Sequence, residues 1–410
     1  MHVYLLSTTE KKVVASHEET AMTTKTTAAF QVPEGTYGLV VVANPTTALN
    51  DLGAVDDIFD FTKLIESVTE AQAKNGYNSG TFLMTTAFNE VDYRLPSTAT
   101  ILSSNDKDSP AKATASVDRA AVKIVDEGVS LIAKGDAATD AVTKSLIENG
   151  EYKGFVLING NEKFNLFQKW ENLTVDVEGK ALITSQGKIE NKVMTGYYNP
   201  ITKYGNVDDN GIYDNLTDLN TPKNTVYTTE NRPDFMFTES EGKITSGMAN
   251  TTGLIYQVIA KVSDGASGFV AQTFYSYRNE IYTTAEEITK LKEIKELKDL
   301  DWTNAPALRK AGVKVYEDGK MYYTYYIQDQ NYKIKNNKLA TAAEVNYNAV
   351  MRNAVYKIAI TGLNDLGDDV PGGGKVTPEN PNPPIETDKT YLQVTVEVND
   401  WVLNEINTDL

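Results

Sequence analysis

Chemistry has few places to happen in this chain. Its only histidines are His2 and His17, and it contains no cysteine. Thiol catalysis, zinc fingers and disulfide frameworks are therefore excluded. A Ser-His-Asp relay would have to enlist His2 or His17, and a general base needs a supported pocket around it. Both histidines read instead as solvent-facing strand or loop residues. No GxxxxGK-Ser/Thr phosphate loop occurs, and "PGGGK" at 371–375 precedes a proline tract rather than a helix, so it reads as linker. One stretch has cation-binding spacing. Asn206, Asp208, Asn210, Gly211 and Asp214 fall at positions 1, 3, 5, 6 and 9 of a calcium loop, where alternating oxygens around a Gly turn suit a hard cation. Thr217 stands where the bidentate Glu is required, and no helical pattern flanks the loop. An Asx/Gly-rich turn is the plainer reading, with a calcium site as the alternative. No cofactor is implied.

The chain holds 39 Lys and Arg against 56 Asp and Glu, a net charge of −17. Such a surface repels phosphate backbones and anionic lipid, which argues against a nucleic-acid partner. At 410 residues it has room for two or three domains. No apolar run approaches the roughly 18 residues of a membrane span. The opening "MHVYLLST" enters a strand at once, without a basic-then-apolar leader, so an upstream leader is expected to have been removed.

The elements that would position any site are mostly strands. "HVYLLST" (2–8), "YGLVVVANP" (37–45), "GTFLMTTAF" (80–88), "KGFVLING" (153–160), "LTVDVEGKALITSQGKI" (173–189), "GLIYQVIAKV" (253–262), "SGFVAQTFYSY" (267–277) and "NAVYKIAITGL" (353–363) are rich in β-branched and aromatic residues. Helical spacing appears over 52–68, 136–150 and 283–302, and in the last of these Thr284 and Glu287 predict a capping box. Residues 111–128 are ambiguous between helix and strand. Asp318-Gly319 predicts a hairpin over 313–327. The polar stretch 196–235 reads as a domain junction or long loop. Together these predict a mostly β chain of two related sandwiches with helical insertions: residues 1–200, residues 201–367, and a linker with a terminal strand over 368–410.

That terminal strand is the most regular in the chain. Leu392, Val394, Val396 and Val398 alternate with Tyr391, Gln393, Thr395 and Glu397 behind a Pro-, Gly- and Asn-rich tether. It could fold back onto its own sheet. A tether of about twenty residues, however, spans some 60 Å at polyproline rise, more than a fold-back needs. Adding the strand to a neighbour's sheet would bury four apolar side chains at about 1.5–3 kcal/mol each. Donor and acceptor surfaces would differ, so the contact would be head-to-tail and build an open filament. Beyond Val398, Asn399-Asp400 break the pattern, and Trp401 and Leu403 resume on odd positions. This predicts a bulge or kink at that step.

The C-terminal residues resemble those of the fimbrillins of Bacteroidetes type V pili, in particular the major subunits of the short fimbriae of Porphyromonas. The carriers are "VMRNAVYKIAITGLNDLG" (350–367), "ENPNPPI" and "YLQVTVEVNDWVLNEINTDL", with "ASVDRAAVKI" (115–124) similar to an N-terminal-domain strand that carries an Arg. The resemblance implies two transthyretin-like β-sandwiches and a non-enzymatic structural subunit of a cell-surface pilus that serves adhesion and biofilm formation. It implies export as a lipoprotein precursor to the outer membrane and loss of an N-terminal strand to an arginine-specific protease. The first arginine here is Arg94, so such a cut would fall upstream. The polymerisation donor would be Tyr391–Val398, with Trp401 and Leu403 anchoring its far end. The acceptor groove would be lined partly by His2, Val3, Tyr4, Leu5 and Leu6. Partners would be further copies of the chain, accessory tip and anchor proteins, and host proteins or glycans. A tip or anchor adhesin on the same scaffold is the alternative. A carbohydrate-active enzyme would need an acidic pair in a cleft.

Overall fold

The computed structural model describes residues 1–7, 12–20, 26–45, 68–69, 79–86, 98–172, 177–178, 180–183, 188–190, 193–198, 218–232, 235–238, 243–266, 268–336, 344–374 and 392–400, with Thr9, Tyr77 and Leu216. The principal strands are β1 (His2–Ser7), β2 (Lys12–Glu18), β3 (Gly35–Ala43), β4 (Met84–Thr86), β5 (Thr98–Ile101) and β6 (Val117–Arg119), then β7 (Val122–Val129), β8 (Glu151–Ile158), β9 (Thr225–Thr228), β10 (Gly253–Ile259), β11 (Lys320–Tyr326), β12 (Ala354–Leu363) and β13 (Leu392–Asp400). Among the described residues the longer helices are α1 (Ala141–Glu148), α2 (Ala285–Lys292) and α3 (Ala305–Lys310). The chain is mostly β, as its sequence predicts.

The first sheet runs β2-β1-β3-β4-β6, with β5 also on β3. Its inner strands β1 and β3 carry near-continuous apolar runs because both their faces are covered. Side chains alternate across a strand, so Tyr4, Leu6, Val40 and Val42 meet Ala120, Ala121, Phe164, Leu166 and Phe167 on one face. Val3, Leu5, Leu39 and Val41 meet Tyr37 and Ala99 on the other. His2 lies within this sheet and is 3% exposed, so its reading as a solvent-facing residue is corrected. Burial follows from the strand's central place, between β2 and β3. His17 is partly covered and stacks on Phe30 at 4.3 Å.

The second body is a sandwich. A four-stranded sheet, β9-β7-β12-β13, lies over a three-stranded one, β11-β10-β8. Between them sits the largest core, including Val122, Ile124, Phe155, Leu254, Tyr256, Met321, Tyr323, Tyr356, Ile358 and Ile360. Strand β10 reads "GLIYQVI", nearly continuous rather than alternating, because a second cluster of Val156, Ile158, Tyr197, Tyr322 and Tyr326 covers its other face at Ile255. An insertion between Phe274 and Tyr316 folds α2 and α3 around Leu291, Leu297, Leu308 and Val313. The predicted capping box is present there: Glu287 N–H donates to Thr284 Oγ1 at 3.2 Å and Thr284 N–H to Glu287 Oε2 at 2.9 Å. Helix α1 is capped by Asp140, which accepts from Thr143 N–H at 3.0 Å.

Ala121 and Val122 fall in different hydrophobic cores. β7 and β8 pack with the C-terminal strands, while Phe164–Phe167 return to the N-terminal sheet. The ambiguous segment 111–128 is two strands, β6 and β7, split between the two sheets. Asp318-Gly319 does turn the chain, at φ of 53° and 77°. Its arms then part: Lys314–Tyr316 joins Phe274–Tyr277, and β11 joins β10. The turn is therefore a corner between sheets and not a hairpin. The predicted helix over 52–68 and the calcium candidates Asn206, Asp208, Asn210 and Asp214 lie outside the described residues, apart from Val68 in a short strand.

Candidate polymerisation interface

The strand that matters most is β12. Ten residues long, it buries Val355, Tyr356, Ile358, Ile360 and Leu363. It runs parallel to β7 on one side and antiparallel to β13 on the other. β13 is thus placed in the chain's own sheet, Leu392 opposite Leu363 and Asp400 opposite Ala354, and it forms the sheet's edge. Pairing continues without a shift through Asn399 and Asp400. The irregularity lies instead in β12, between Ile360 and Gly362. Thr361 is extra there, its hydroxyl lies 3.5 Å from Lys134 Nζ, and a Cβ at Gly362 would sit 2.6 Å from the Lys134 side chain. The predicted break at Asn399-Asp400 is therefore not seen through Asp400; Trp401 and Leu403 lie outside the described residues, as does Tyr391.

Two residues ahead of β12 fasten it to the N-terminal sheet. The Arg352 guanidinium is almost wholly buried against the Glu230 carboxylate, both partners being 2% exposed or less. Its Nε donates to Glu230 Oε2 at 2.8 Å, its Nη1 to the Leu166 carbonyl at 2.7 Å, and its Nη2 to the Asn165 carbonyl. Asn353 takes a left-handed φ of 61°, tolerable for Asn. That turn aims its side chain at β6, where Oδ1 accepts from Arg119 Nη1 at 3.2 Å and Nδ2 donates to Asp118 at 3.1 Å. Its backbone N–H donates to Ala121 O at 2.8 Å. Burial pushes the Asp118 carboxyl above its ordinary value, against the pull of Arg352, Arg119 and the Asn353 amide. Burial lowers Arg119, with Asp118 opposing.

Behind β12 the chain is also held. Asp368 exchanges both backbone hydrogen bonds with Tyr322 of β11, at 2.9 Å each. The Asp369 carboxylate accepts from Arg309 Nε of α3 and from Val315 N–H, each at 2.8 Å. Tyr316 Oη donates to Gly367 O, and Val370 is buried. Gly367 must be a glycine, since a Cβ would lie 2.7 Å from Tyr322 O. "PGGG" therefore closes a segment that is fastened to the fold.

His2, Val3, Tyr4, Leu5 and Leu6 are brought together in β1, but β1 is paired on both sides, with β2 and β3. It has no backbone edge to offer. The outer edge of β2 pairs with no strand among the described residues. No group of His, Asp or Glu that could hold a metal occurs among them, and none of their helices is long and apolar enough to cross a membrane.

Residues 314–407, which hold β11, β12, β13 and the tether, match the family model described as major fimbrial subunit protein type IV, fimbrillin, C-terminal. That match spans residues 314–407 of a 410-residue chain, so the likeness to a fimbrillin lies in the C-terminal region. No curated protein matches the chain. Among solved structures it is similar to a putative cell adhesion protein from Parabacteroides distasonis, at 15% identity over 98% of this chain and 93% of that one, TM-score 0.49. A fimbrilin from Porphyromonas gingivalis W83 gives 15% identity over 98% and 90%, TM-score 0.45. The tip fimbrial protein Mfa3 from Porphyromonas gingivalis gives 12% over 98% and 93%, TM-score 0.41. At such identities and scores these likenesses decide nothing about role, and the family match stands on the C-terminal region.

Proposed function

We propose that the chain is a shaft subunit that polymerises head-to-tail by giving β13 to the next subunit. The observation that carries this reading is that β13 is an edge strand held by one neighbour at the end of a long tether. In its own sheet Leu392 sits opposite Leu363, about ten residues upstream of Gly374. Residues 375–391 could reach about 50 Å at polyproline rise. A sandwich of about 250 residues has a radius of gyration near 18 Å. The reach thus suits delivery to a neighbour, where main-chain pairing supplies affinity and alternate side chains supply register. Tyr391, Leu392, Val394, Val396 and Val398 donate, and Trp401 and Leu403 secure the far end.

On this reading the incoming strand is received at the N-terminal sheet. Because β1 is enclosed, the receiving edge is that of β2, with His2–Leu6 forming the floor beside it. The subunit is exported as a lipoprotein precursor, trimmed upstream by an arginine-specific protease, and capped in the filament by tip and anchor proteins. Removing residues 387–410 is expected to abolish filaments, read by electron microscopy, while circular dichroism reports a folded monomer. Filaments of normal length from the truncated chain would sink the reading. A tip subunit would fail to self-polymerise even with its tail intact.

A further inference from the structure

We propose that residues 352–374 form a tension strut, one stretch of chain clamped at its start to the N-terminal sheet and at its end to the helical insertion. The proposal rests on the donor reading for its use, since a donated tail pulls on Gly374 and a received tail pulls on the N-terminal sheet. Its physical basis is independent of that use.

At the upstream end, Arg352 reaches Glu230 and the Leu166 and Asn165 carbonyls, while Asn353 holds Asp118, Arg119 and Ala121 O. These contacts grip β6 and the segment packed on the N-terminal sheet. At the downstream end, Asp368 is laced to Tyr322 and Asp369 to Arg309 and Val315. A hydrogen bond to a charged group is stronger than a neutral one. Both clamps use such bonds, and Arg352, Asp369 and Arg309 are shielded from water, where screening is weak.

Between the clamps lies β12, about 30 Å of extended chain. It is already close to full length, so tension cannot be absorbed by straightening it. Its parallel partner β7 begins at Val122, next to the Ala121 carbonyl that Asn353 holds. A pull entering at the N-terminal sheet loads β7 at its first residue. The same pull leaving by the tether loads β12 at its last. Parallel strands drawn from opposite ends are sheared, so their hydrogen bonds share the load and must fail together. Peeling would break them one at a time.

The chain's lack of cysteine makes a direct test simple, because any introduced pair is a unique pair of handles. Full-length protein carrying Ser104→Cys and Thr377→Cys is held at constant force along the strut, and Ser104→Cys with Ala266→Cys gives an axis that leaves by another route. Asp369→Asn weakens the downstream clamp. Arg309→Lys removes the Nε donor to Asp369 from the other side of the same clamp and keeps the charge, so it serves if the first variant does not fold. Each variant is expected to shorten the folded lifetime on the strut axis by roughly tenfold, as loss of a charge-assisted bond implies, with less than about twofold change on the other axis. Equal shortening on both axes, or none on the strut axis, would overturn the proposal. A strut that passes in the monomer while the truncated chain still forms filaments would leave the clamp intact and remove only the donor reading.

Discussion

The N-terminal sheet and the C-terminal sandwich solve the same problem in opposite ways. In the N-terminal sheet the first strand, β1, is enclosed by β2 and β3 and covered on both faces. In the sandwich the last strand, β13, is an edge with a single neighbour. Enclosure makes a strand costly to remove, because backbone bonds and side-chain burial are lost on both sides together. An edge strand on a tether can leave at the cost of one ladder. Natural sheets cover or shorten their edges to avoid unwanted pairing. Here β8 and β11 are each closed by a one-residue bridge, Phe155 with Asn220 and Tyr322 with Asp368. The contrast shows two edges closed by bridges and β13 left at the rim of its sheet, the arrangement that the proposed exchange requires.

The Arg352 contacts join the two regions, and the largest expected effect comes from breaking them. Replacing Arg352 with Met leaves Glu230 buried and without its cation, and removes the donors to Asn165 and Leu166. Breaking a buried pair by deleting one partner costs about 3–5 kcal/mol. Thermal unfolding followed by hydrogen exchange should show the N-terminal sheet losing protection first, in a transition separate from the sandwich. A variant that still unfolds in one step at the wild-type temperature would mean that the two regions do not depend on this contact.

A smaller effect sharpens the comparison from the other side. Asp140 caps α1, whose Leu146 and Ile147 enter the sandwich core and touch nothing in the N-terminal sheet's clusters. Asp140→Ala should cost about 1 kcal/mol, the usual worth of a cap. Urea denaturation measures the loss. Exchange protection in β1 and β3 should stay unchanged, and a parallel loss there would show the regions more tightly coupled than the Arg352 contact alone allows.

Much of the fold was readable in the residues, and the failures share a cause. Runs of β-branched and aromatic residues located β1, β3, β10 and β12, and the Thr284–Glu287 box located α2, because propensity and capping act over a few neighbours. The change of core between Ala121 and Val122 was not readable. β6 and β7 follow each other across two alanines, with no Gly or Pro to mark the change of sheet, whereas the polar run at 196–235 advertised a boundary by composition alone. Asp318-Gly319 fixed a turn but not where its arms went, since partner choice depends on distant strands. At the candidate interface the tail's alternation was legible and its neighbour in the sheet was not. Arg352 stood out beside Asn353, but Glu230 lies more than a hundred residues away, and only folding shows that the two meet. His2 was misread for a related reason: a polar side chain in a terminal strand looks exposed until both flanking strands are in place.

The smallest effect concerns protons at the seam between the regions. Asp118, on β6, has its carboxyl raised chiefly by burial, while Arg352 and Arg119 oppose the shift. A raised carboxyl holds its proton more tightly in the folded chain than in the unfolded one, so its contribution is complete below the unfolded value, near 4. It is lost as pH rises through the higher folded value. Asp140, in the sandwich, has the opposite sign. Hydrogen bonds from Thr143, its side chain first, lower its carboxyl, so its stabilisation is present above the unfolded value and is lost as pH falls. Asp118→Asn keeps an oxygen to accept from the Asn353 amide and removes the titration. Urea midpoints of the wild type should therefore fall relative to this variant as pH is raised from 4 to 7. Those of Asp140→Ala should approach wild type as pH is lowered towards 3. If the wild type instead gained on Asp118→Asn across the first window, the carboxylate would be a net stabiliser of the seam, and its two arginines, not its burial, would govern the junction.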